Sequence, residues 1–480
     1  MSRINTNVQS ILATRVLSGN QNTLNRALTR LSTGLRINSG KDDPAGLIAS
    51  ETLRASKVAI TAAIDNANRA DSIMAVAEGG LQEINSLLLE IESLLDKSAN
   101  EGGLSDEEVA ANQLQLDAIL QSINRISEQS SFGTKKLLNG AFDYTTSGVS
   151  TTNIDNLRVN SARVPEGSYS NVVINVVTPS EFAYVSAVGG GTGGTLGDDV
   201  TIQVRGNYGT EIFSFVSGSS TATVRDAINA VTQLTGVSAV VSGQAVVFSS
   251  TGYGDNAFVS VERIDTNGQS EFDIHGATTT KRFGVDGTMT VNGTAAIVNG
   301  LELQVRSGTI SLDVTLDASF ASVAGGTTSF QITGGGAKFA ISPDLGLSGQ
   351  ESIGLYEVST ANLGNGSATI GYISSLATGQ ANSLTSGNFA QSQRIVRSAI
   401  EQISSLRGRI GAFQRNTLQT TVNSLGVAFE NIAAAESAIR DADFAQETSN
   451  LTRSQILVNA ATAALQLANS APQNVLALLG

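Results

Sequence analysis

The chain of 480 residues is acidic, with 29 Lys and Arg against 42 Asp and Glu and a net charge of −13. This balance argues against nucleic acid and anionic membranes as partners, because both attract basic surfaces. The chain has no Cys, which excludes a disulfide scaffold and a thiol nucleophile, and its single His275 excludes an HExxH zinc pair.

The sequence contains no run of eighteen apolar residues, so we expect no transmembrane helix. The first residues lack a basic patch followed by an apolar core, so no ordinary secretory signal is expected either. Composition alone therefore favours a cytoplasmic protein, and no residue pattern predicts a cofactor or a metal.

Residues 1–35 predict an amphipathic helix with one apolar stripe. Its members recur mostly at spacings of three, four and seven, which keeps them on one helix face. Gly34 and Asn38–Gly40 then interrupt the helix. The stripe consists of Ile4, Val8, Ile11, Leu17, Leu24, Leu28, Leu31 and Leu35.

Asp42-Asp43-Pro44 predicts the start of a second, long helix that runs to about Ala99, because a carboxylate cap precedes a proline. Gly79-Gly80 inside it predicts a weak point or a slight bend. The regular second half predicts a buried bundle face made of Met74, Leu81, Ile84, Leu88, Ile91 and Leu95.

A third helix is predicted after Ser105 and Glu108, which have capping-box spacing. Phe132–Tyr144 then predicts a β-hairpin with Asn139-Gly140 as its turn. Residues 145–384 change to short alternating runs separated by Gly, Asn and Ser, which predict strands. Within them we expect a strand–strand–helix–strand–strand unit over 196–262 and a second β unit over 284–340.

The chain returns to helix at Ser386–Asn388, and after Phe413 the apolar stripe slips by one residue to Leu418. We attribute the slip to the drift of a straight helix against a seven-residue repeat. The predicted bundle residues here are Ile403, Leu406, Ile410, Phe413, Leu425, Phe429, Ile432 and Ile439.

The last helix is predicted to be interrupted, or to change face, near Asp441–Thr448 and to end at Pro472. Four apolar residues recur in it at strict sevens and predict a coiled-coil seam. Glu436 and Arg440 are read either as an intrahelical pair or as a contact between subunits. The seam consists of Phe444, Leu451, Val458 and Leu465.

Together these patterns predict a multidomain α+β protein. We expect 1–40 with 444–480 to form an inner coiled-coil domain, 41–144 with 385–443 a helical bundle with a hairpin, and 145–384 an inserted β-rich region. Amphipathic ends cannot bury both faces in a monomer, so the two terminal stripes predict self-assembly into an open polymer. Asp198-Asp199 as a glycosidase dyad is outweighed by solvated loop charges, and we expect no enzyme.

Six segments carry a family resemblance: MSRINTNVQSILATRVL, LSTGLRINSGKDDPAGL, FGTKKLLNG, ENIAAAESAIRDADFA, LTRSQIL and PQNVLALL. Together they resemble bacterial flagellin, over roughly residues 1–140 and 385–479, and 196–262 is similar to a flagellin insert module. The resemblance implies a secreted subunit of the flagellar filament, without a cofactor. The alternative is a hook–filament junction protein of the same export family.

Several partners follow from the resemblance alone. It implies copies of the chain itself, flagellar junction and cap proteins, an export channel, and an export chaperone on the C-terminal helices, about Phe429–Leu479 here. It implies no nucleic acid and no membrane insertion.

One segment departs from the family. Flagellins sensed by a vertebrate innate-immune receptor carry Gln-Arg-Val-Arg-Glu-Leu on the long N-terminal helix. Alignment on Glu83-Ile84-Asn85 places that stretch at Leu89, Glu90, Ile91, Glu92, Ser93 and Leu94. Both arginines are acidic residues here, so we expect weak recognition by that receptor.

Overall fold

The structure is a computed structural model that describes residues 6–100, 103–165, 167–189, 194–264, 272–273, 279–365 and 371–477. Ile4 and His275 lie outside these residues. Long helices come from both ends of the chain and antiparallel sheets from its middle. The predicted α+β fold class is therefore confirmed.

The N-terminal part forms helices with the expected caps. Asp43 Oδ1 accepts a hydrogen bond from the Gly46 backbone N–H at 2.9 Å, and Ser105 and Glu108 form both bonds of the predicted capping box. The elements are α1 (Val8–Thr33), α2 (Pro44–Ser98), α3 (Asp106–Gln129), β1 (Ser131–Phe132) and β2 (Lys135–Lys136).

The predicted hairpin turn at Asn139-Gly140 is wrong. β1 pairs with β2 across Gly133-Thr134, and Gly133 has the positive φ of 61° that such a tight turn requires. Leu137 and Leu138, which would have belonged to the predicted hairpin, are fully buried in the helical core. Apolar packing, rather than strand pairing, therefore directs the chain after β2.

The middle of the chain consists of short strands, three short α-helices and three 3-10 turns among the described residues. In order the strands and α-helices are β3 (Tyr144–Ser147), β4 (Ile154–Ala162), β5 (Ser170–Thr178), β6 (Phe182–Gly189), β7 (Val200–Arg205), β8 (Thr210–Phe215), α4 (Thr221–Ala230), α5 (Thr232–Thr235), β9 (Val237–Ser242), β10 (Ala245–Tyr253), β11 (Phe258–Arg263), β12 (Phe272–Asp273), β13 (Thr279–Phe283), β14 (Thr288–Val291), β15 (Thr294–Ala295), β16 (Ile297–Asn299), β17 (Glu302–Arg306), β18 (Ile310–Leu316), α6 (Ala318–Ala321), β19 (Thr327–Gly335), β20 (Ala337–Ala340), β21 (Gln350–Ile353), β22 (Gly364–Asn365) and β23 (Gly371–Tyr372).

These strands form four main antiparallel sheets. Sheet A has the order β15-β14-β5-β19-β3 and sheet B the order β16-β17-β18-β4, and the two share one apolar core. Sheet C has the order β12-β6-β10-β9 and sheet D the order β13-β11-β7-β8. Sheets C and D share a second core, to which α4 contributes Val224 and Ile228. The module of sheets C and D is inserted in sequence between β5 and β14.

The C-terminal part is helical, and its elements are α7 (Phe389–Ala412), a π-helical segment (Phe413–Gln419), α8 (Thr420–Arg440) and α9 (Phe444–Ala477). The π-helical segment explains the slip of the stripe from Phe413 to Leu418. Each π-helical hydrogen bond spans five residues instead of four, so one extra residue is inserted into the turn. The attribution of the slip to the drift of a straight helix is therefore wrong.

The chain divides into two compact units. The first comprises residues 1–68, 341–345 and 419–480, and the second comprises 69–340 and 346–418. Helix α2 contributes its first half to the first unit and its second half to the second. These boundaries differ from the predicted division at residues 40 and 444, and that three-part division stays a prediction.

The predicted bundle residues divide between the two units. Those of α2 and α7 are fully buried in the helical core of the second unit, and Phe413 of the π-helical segment is half-buried against the same core. Those of α8 lie in the first unit and are half-buried, and α8 has no fully buried residue at all. The buried set is Met74, Leu81, Ile84, Leu88, Ile91, Leu95, Ile403, Leu406 and Ile410, and the half-buried set on α8 is Leu425, Phe429, Ile432 and Ile439.

Gly79 and Gly80 lie inside the unbroken α2, but only one of them is needed for packing. A Cβ added at Gly79 would meet nothing within 4 Å. A Cβ at Gly80 would lie 2.7 Å from Ser130 Oγ and 2.9 Å from Leu138 Cδ1. Glycine at position 80 therefore allows α2 to approach the segment around the β1–β2 hairpin.

This difference predicts opposite effects for two neighbouring substitutions. Gly79→Ala should raise the free energy of unfolding by up to about 1 kcal/mol, because alanine is the better helix former. Gly80→Ala should be at least about 1 kcal/mol less stable than Gly79→Ala, because its methyl group has to displace Ser130 and the buried Leu138. Chemical denaturation of the two variants checks this, and equal stabilities would contradict the close approach at Gly80.

Candidate assembly surface

The helices from the two chain ends, α1 and α9, pack against each other within the first unit. On α9 the least exposed positions alternate by four and three, so Leu451, Val458 and Leu465 alternate with the small residues Ser454 and Ala461. This alternation is typical of a coiled-coil seam. On α1 the matching half-buried or buried residues are Leu17, Leu24, Ala27 and Leu31.

Phe444 does not continue this seam in the isolated chain. Its side chain is 63% exposed, and the position that faces α1 one turn later is Glu447. The Glu447 carboxylate, only 9% exposed, accepts a hydrogen bond from Arg30 at 3.0 Å. The seam therefore begins with an ion pair, and Phe444 is left exposed to solvent.

The sequence predicted that the last helix ends at Pro472. The structure shows instead that α9 continues to Ala477. Proline has no N–H, so the carbonyl of Ala468, four residues earlier, loses its helical hydrogen bond. The Asn7 side chain donates Nδ2–H to that carbonyl at 2.8 Å. A side chain from the other end of the chain thus replaces the bond that Pro472 cannot make.

Asn7 also begins α1. Its Oδ1 accepts the backbone N–H of Ser10 at 3.0 Å, and the Ser10 hydroxyl donates to Asn469 Oδ1 at 2.6 Å. Further along, Asn20 Nδ2 donates to the Leu457 carbonyl at 3.3 Å. These polar contacts set the register of α1 on α9, because each requires one particular partner.

The predicted interruption near residue 441 is a short break between α8 and α9. There, Leu35 and Asp441 form a β-bridge, the Arg36 N–H donates to the Arg440 carbonyl at 2.7 Å, and the Ala442 N–H donates to the Gly34 carbonyl at 2.9 Å. The two helix breaks of the first unit therefore satisfy each other's backbone groups.

Glu436 and Arg440 do not form the intrahelical pair that was one of the two interpretations. Both instead bond to α2, with Lys57 Nζ 2.8 Å from Glu436 and Arg440 2.8 Å from Glu51. The α8 side chains therefore hold the first half of α2 by charge.

A second group of apolar residues in the first unit points to solvent. Ile11 on α1 and Ile456 on α9 are each 62% exposed. On the helices of this unit the outward group comprises Val8, Ile11, Leu12, Val16, Leu28, Ile48, Val58, Val427, Phe444, Ile456, Leu457 and Leu467. The predicted stripe thus divides into seam residues and outward residues, and Leu35 is half-buried at the helix break.

The altered receptor stretch lies on the second half of α2. Leu89, Glu90 and Ser93 are exposed, while Glu92 is half-buried. Glu90 accepts a hydrogen bond from Gln115 Nε2 at 2.8 Å, and Glu92 accepts one from Arg397 Nε at 3.0 Å. Both carboxylates are therefore bonded to neighbouring helices of the bundle.

Other kinds of site are not found in the described part of the chain. No helix there is long and apolar enough to cross a membrane. Among the same residues, no group of three or more His, Cys, Asp or Glu is placed to hold a metal ion. Asp199 accepts the Ser217 backbone N–H at 2.7 Å, which is a loop contact rather than a catalytic arrangement.

Three family models match segments at the two ends and in the middle of the chain. One described as the bacterial flagellin N-terminal helical region matches residues 4–143, one as the C-terminal helical region matches 394–479, and one as the flagellin hook IN motif matches 201–252. The B-type flagellin of Pseudomonas aeruginosa is 30% identical over 533 aligned residues that cover 99% of both chains. The chain belongs to the bacterial flagellins. A flagellin of Salmonella rubislaw is also 30% identical, again over 99% of both chains.

As a flagellin, the chain is a structural subunit of the extracellular flagellar filament, which copies of it form by self-assembly. Flagellins are structural proteins, so the expectation that the chain is not an enzyme is confirmed by its family. The junction-protein alternative has no comparable support. A hook-associated protein 3 of Legionella pneumophila is 13% identical and covers 81% of this chain and 98% of its own. Its TM-score is 0.30, which is too low to support a junction role.

The contact between Asn7 and Ala468 predicts a coupling between two distant positions. Asn7→Asp keeps a helix cap but loses the donor, so it should destabilise the pairing of α1 with α9 by about 1 kcal/mol. In a Pro472→Ala background the restored N–H can bond to Ala468, and the cost of Asn7→Asp should be smaller. Melting curves of assembled filaments for the double-mutant cycle measure this coupling, and strictly additive effects would argue against it.

Proposed function

We propose that the first unit makes the principal contacts between flagellin subunits in the filament, and that its outward apolar residues are buried against neighbouring copies. The observation that carries the proposal is the exposure of residues such as Ile11 and Ile456 on helices that belong to the family's matched terminal regions. Large exposed apolar patches are typical of interaction sites. A contact repeated along a screw axis gives an open filament rather than a closed oligomer.

The distribution of charge supports the same assignment. The first unit contains ten Lys and Arg and ten Asp and Glu, so it is neutral, and the whole net charge of −13 belongs to the second unit. Copies of a neutral unit can approach without net repulsion, whereas like charges facing each other across an interface can cost several kcal/mol. Close contact between copies is therefore least opposed in the first unit.

A charge in the outward group should block assembly. Ile11→Asp and Ile456→Asp should each abolish sedimentable filaments, because burying an unpaired carboxylate at an interface is costly. Leu451→Asp and Val458→Asp should also fail, since the charge would lie in the α1–α9 seam. Centrifugation of polymerised protein gives the measurement.

Ile212→Asp is the matched control, because Ile212 is 57% exposed but lies on β8 of the second unit. This variant should form filaments as the native protein does. Normal assembly of Ile11→Asp and Ile456→Asp would refute the assignment of the surface, and so would failure of the Ile212→Asp control alone.

We also propose, from family membership, that an export chaperone binds about Phe429–Leu479 and that the cap, junction and channel proteins of the flagellum are partners. Exposed apolar residues of α9 such as Ile456 and Leu467 would require cover before assembly. A pull-down with a chain that ends at Asn423 tests the chaperone site, and undiminished binding would move the site elsewhere.

The acidic stretch on α2 leads to a separate proposal, that the monomer is a poor agonist of the vertebrate innate-immune receptor. The contacts of Glu90 and Glu92 with Gln115 and Arg397 support it, because they make the acidic side chains part of the bundle. The bundle therefore holds carboxylates at positions where receptor-sensed flagellins carry arginines.

Glu90→Arg with Glu92→Arg and Ser93→Glu should raise potency in a reporter-cell assay on purified monomer. Glu83→Arg, an exposed change of the same sign on the same helix, should not. If the native monomer already equals a flagellin that carries the arginine-bearing stretch, the proposal is wrong.

A further inference from the structure

The module of sheets C and D has two outer faces of different chemistry. The three longer strands of sheet C, β6, β9 and β10, contain 23 residues and no Asp, Glu, Lys or Arg. The four strands of sheet D also contain 23 residues, of which six are charged. In sheet C the one charged residue, Asp273, belongs to the two-residue strand β12, at the opposite edge from β9.

The outward face of sheet C is uncharged along its three longer strands, and it combines exposed apolar residues with Ser and Thr hydroxyls. Ala183, Val185 and Ala187 of β6 are buried in the module core, so the alternate residues face outward. Across β6, β10 and β9, Tyr184 pairs with Ser249 in register, and Val247 pairs with Val240. Tyr184 is 50% exposed and Val240 61% exposed. We call this surface the sheet C face. Its apolar members are Phe182, Tyr184, Val188, Val240, Val247 and Tyr253, and its polar members include Ser186, Ser238 and Ser249.

Aromatic contacts hold one end of the sheet C face in a defined shape. The Phe182 ring lies edge-on to the Tyr253 ring at 5.6 Å and to the Tyr184 ring at 6.3 Å between centroids. Edge-to-face aromatic pairs of this kind are favourable, so the three rings form a fixed ridge. A preformed ridge loses little conformational freedom when another surface packs on it.

Sheet D shows what a solvated face of the same module is like. The strand registers pair Ser260 of β11 with Arg205 of β7 on one side and with Lys281 of β13 on the other. Glu262 is the next residue of β11 on the same face. These charges are typical of a face that remains in water. Sheet D also exposes apolar residues, with Ile212 and Phe283 each 57% exposed, so the two sheets differ in charge rather than in exposed apolar side chains.

We propose that the sheet C face packs against a second copy of this chain in the assembled filament. The second unit carries the whole net charge of −13, so most of its surfaces repel copies of themselves. The sheet C face brings no charge from its three longer strands, so a neighbour can cover it without desolvating a carboxylate. The filament supplies the neighbours at high local concentration, and contacts between helically related subunits are heterologous, so a different surface of the next copy covers the face.

This inference rests on self-assembly but not on which residues of the first unit mediate it. The absence of Cys from the chain allows a direct test, since one introduced thiol reports on one position. Val240→Cys and Tyr184→Cys place the thiol on the sheet C face. Ile212→Cys is the matched control, because Ile212 is 57% exposed and lies on edge strand β8 of sheet D, as Val240 lies on edge strand β9 of sheet C.

The measurement is the rate of maleimide labelling in monomers and in dilute, sedimented and resuspended filaments of each variant. The rate for Val240→Cys and Tyr184→Cys should fall at least about 10-fold on assembly, while that for Ile212→Cys should change less than about 2-fold, because thiol reactivity follows access. Sedimentation of each variant first establishes that filaments have formed, which separates failure of this inference from failure of assembly.

Three results would overturn the inference. Equal labelling of Val240→Cys in monomers and filaments would show that the face stays open. Protection that appears only in concentrated suspensions would assign the contact to neighbouring filaments instead of neighbouring subunits. Protection of Ile212→Cys to the same degree would mean that assembly covers the module without preference for the sheet C face.

Discussion

The pairing of α1 with α9 is the constraint on which the first unit depends, because it joins residues from opposite ends of the chain. Asn7 reaches the carbonyl of Ala468, and Arg30 reaches Glu447, across more than four hundred residues of sequence. Each of these contacts satisfies a group that would otherwise be unpaired near the seam. The pairing also explains how α9 continues past Pro472, since the missing backbone bond is replaced from α1.

The same seam is modest as a core. Its main apolar residues, such as Leu24 and Val458, are only half-buried, and small or polar residues occupy the positions between them. Each helix therefore keeps a second apolar side in solvent, which includes Ile11 on α1 and Ile456 on α9. A two-helix pairing of this kind has limited stability by itself, which agrees with our proposal that neighbouring copies bury the remaining apolar residues.

Charge distinguishes the surfaces that we propose to meet in the filament from the rest of the protein. The neutral first unit and the sheet C face of the second unit lack the net negative charge that marks the rest of the protein. Electrostatics of this kind decides which approaches are tolerated, while apolar burial supplies the driving force. Local charges are also paired within the bundle, because the carboxylates of Glu90 and Glu92 each accept a hydrogen bond from a neighbouring helix.

The sequence by itself determined the helices, the β-rich middle and the family, because periodicity and caps are local: Pro44 begins α2 and Ser105 caps α3 as expected. It did not determine which turn closes the hairpin, because burial of Leu137 and Leu138 overrides the Asn139-Gly140 signal. Tertiary structure also decided that α9 passes Pro472 and that Phe444 is left outside the seam. The physical reason is that the deciding group comes from a segment distant in sequence. A distant side chain satisfies the Ala468 carbonyl, and a distant helix determines which side chains occupy the seam, so local sequence patterns do not predict either outcome.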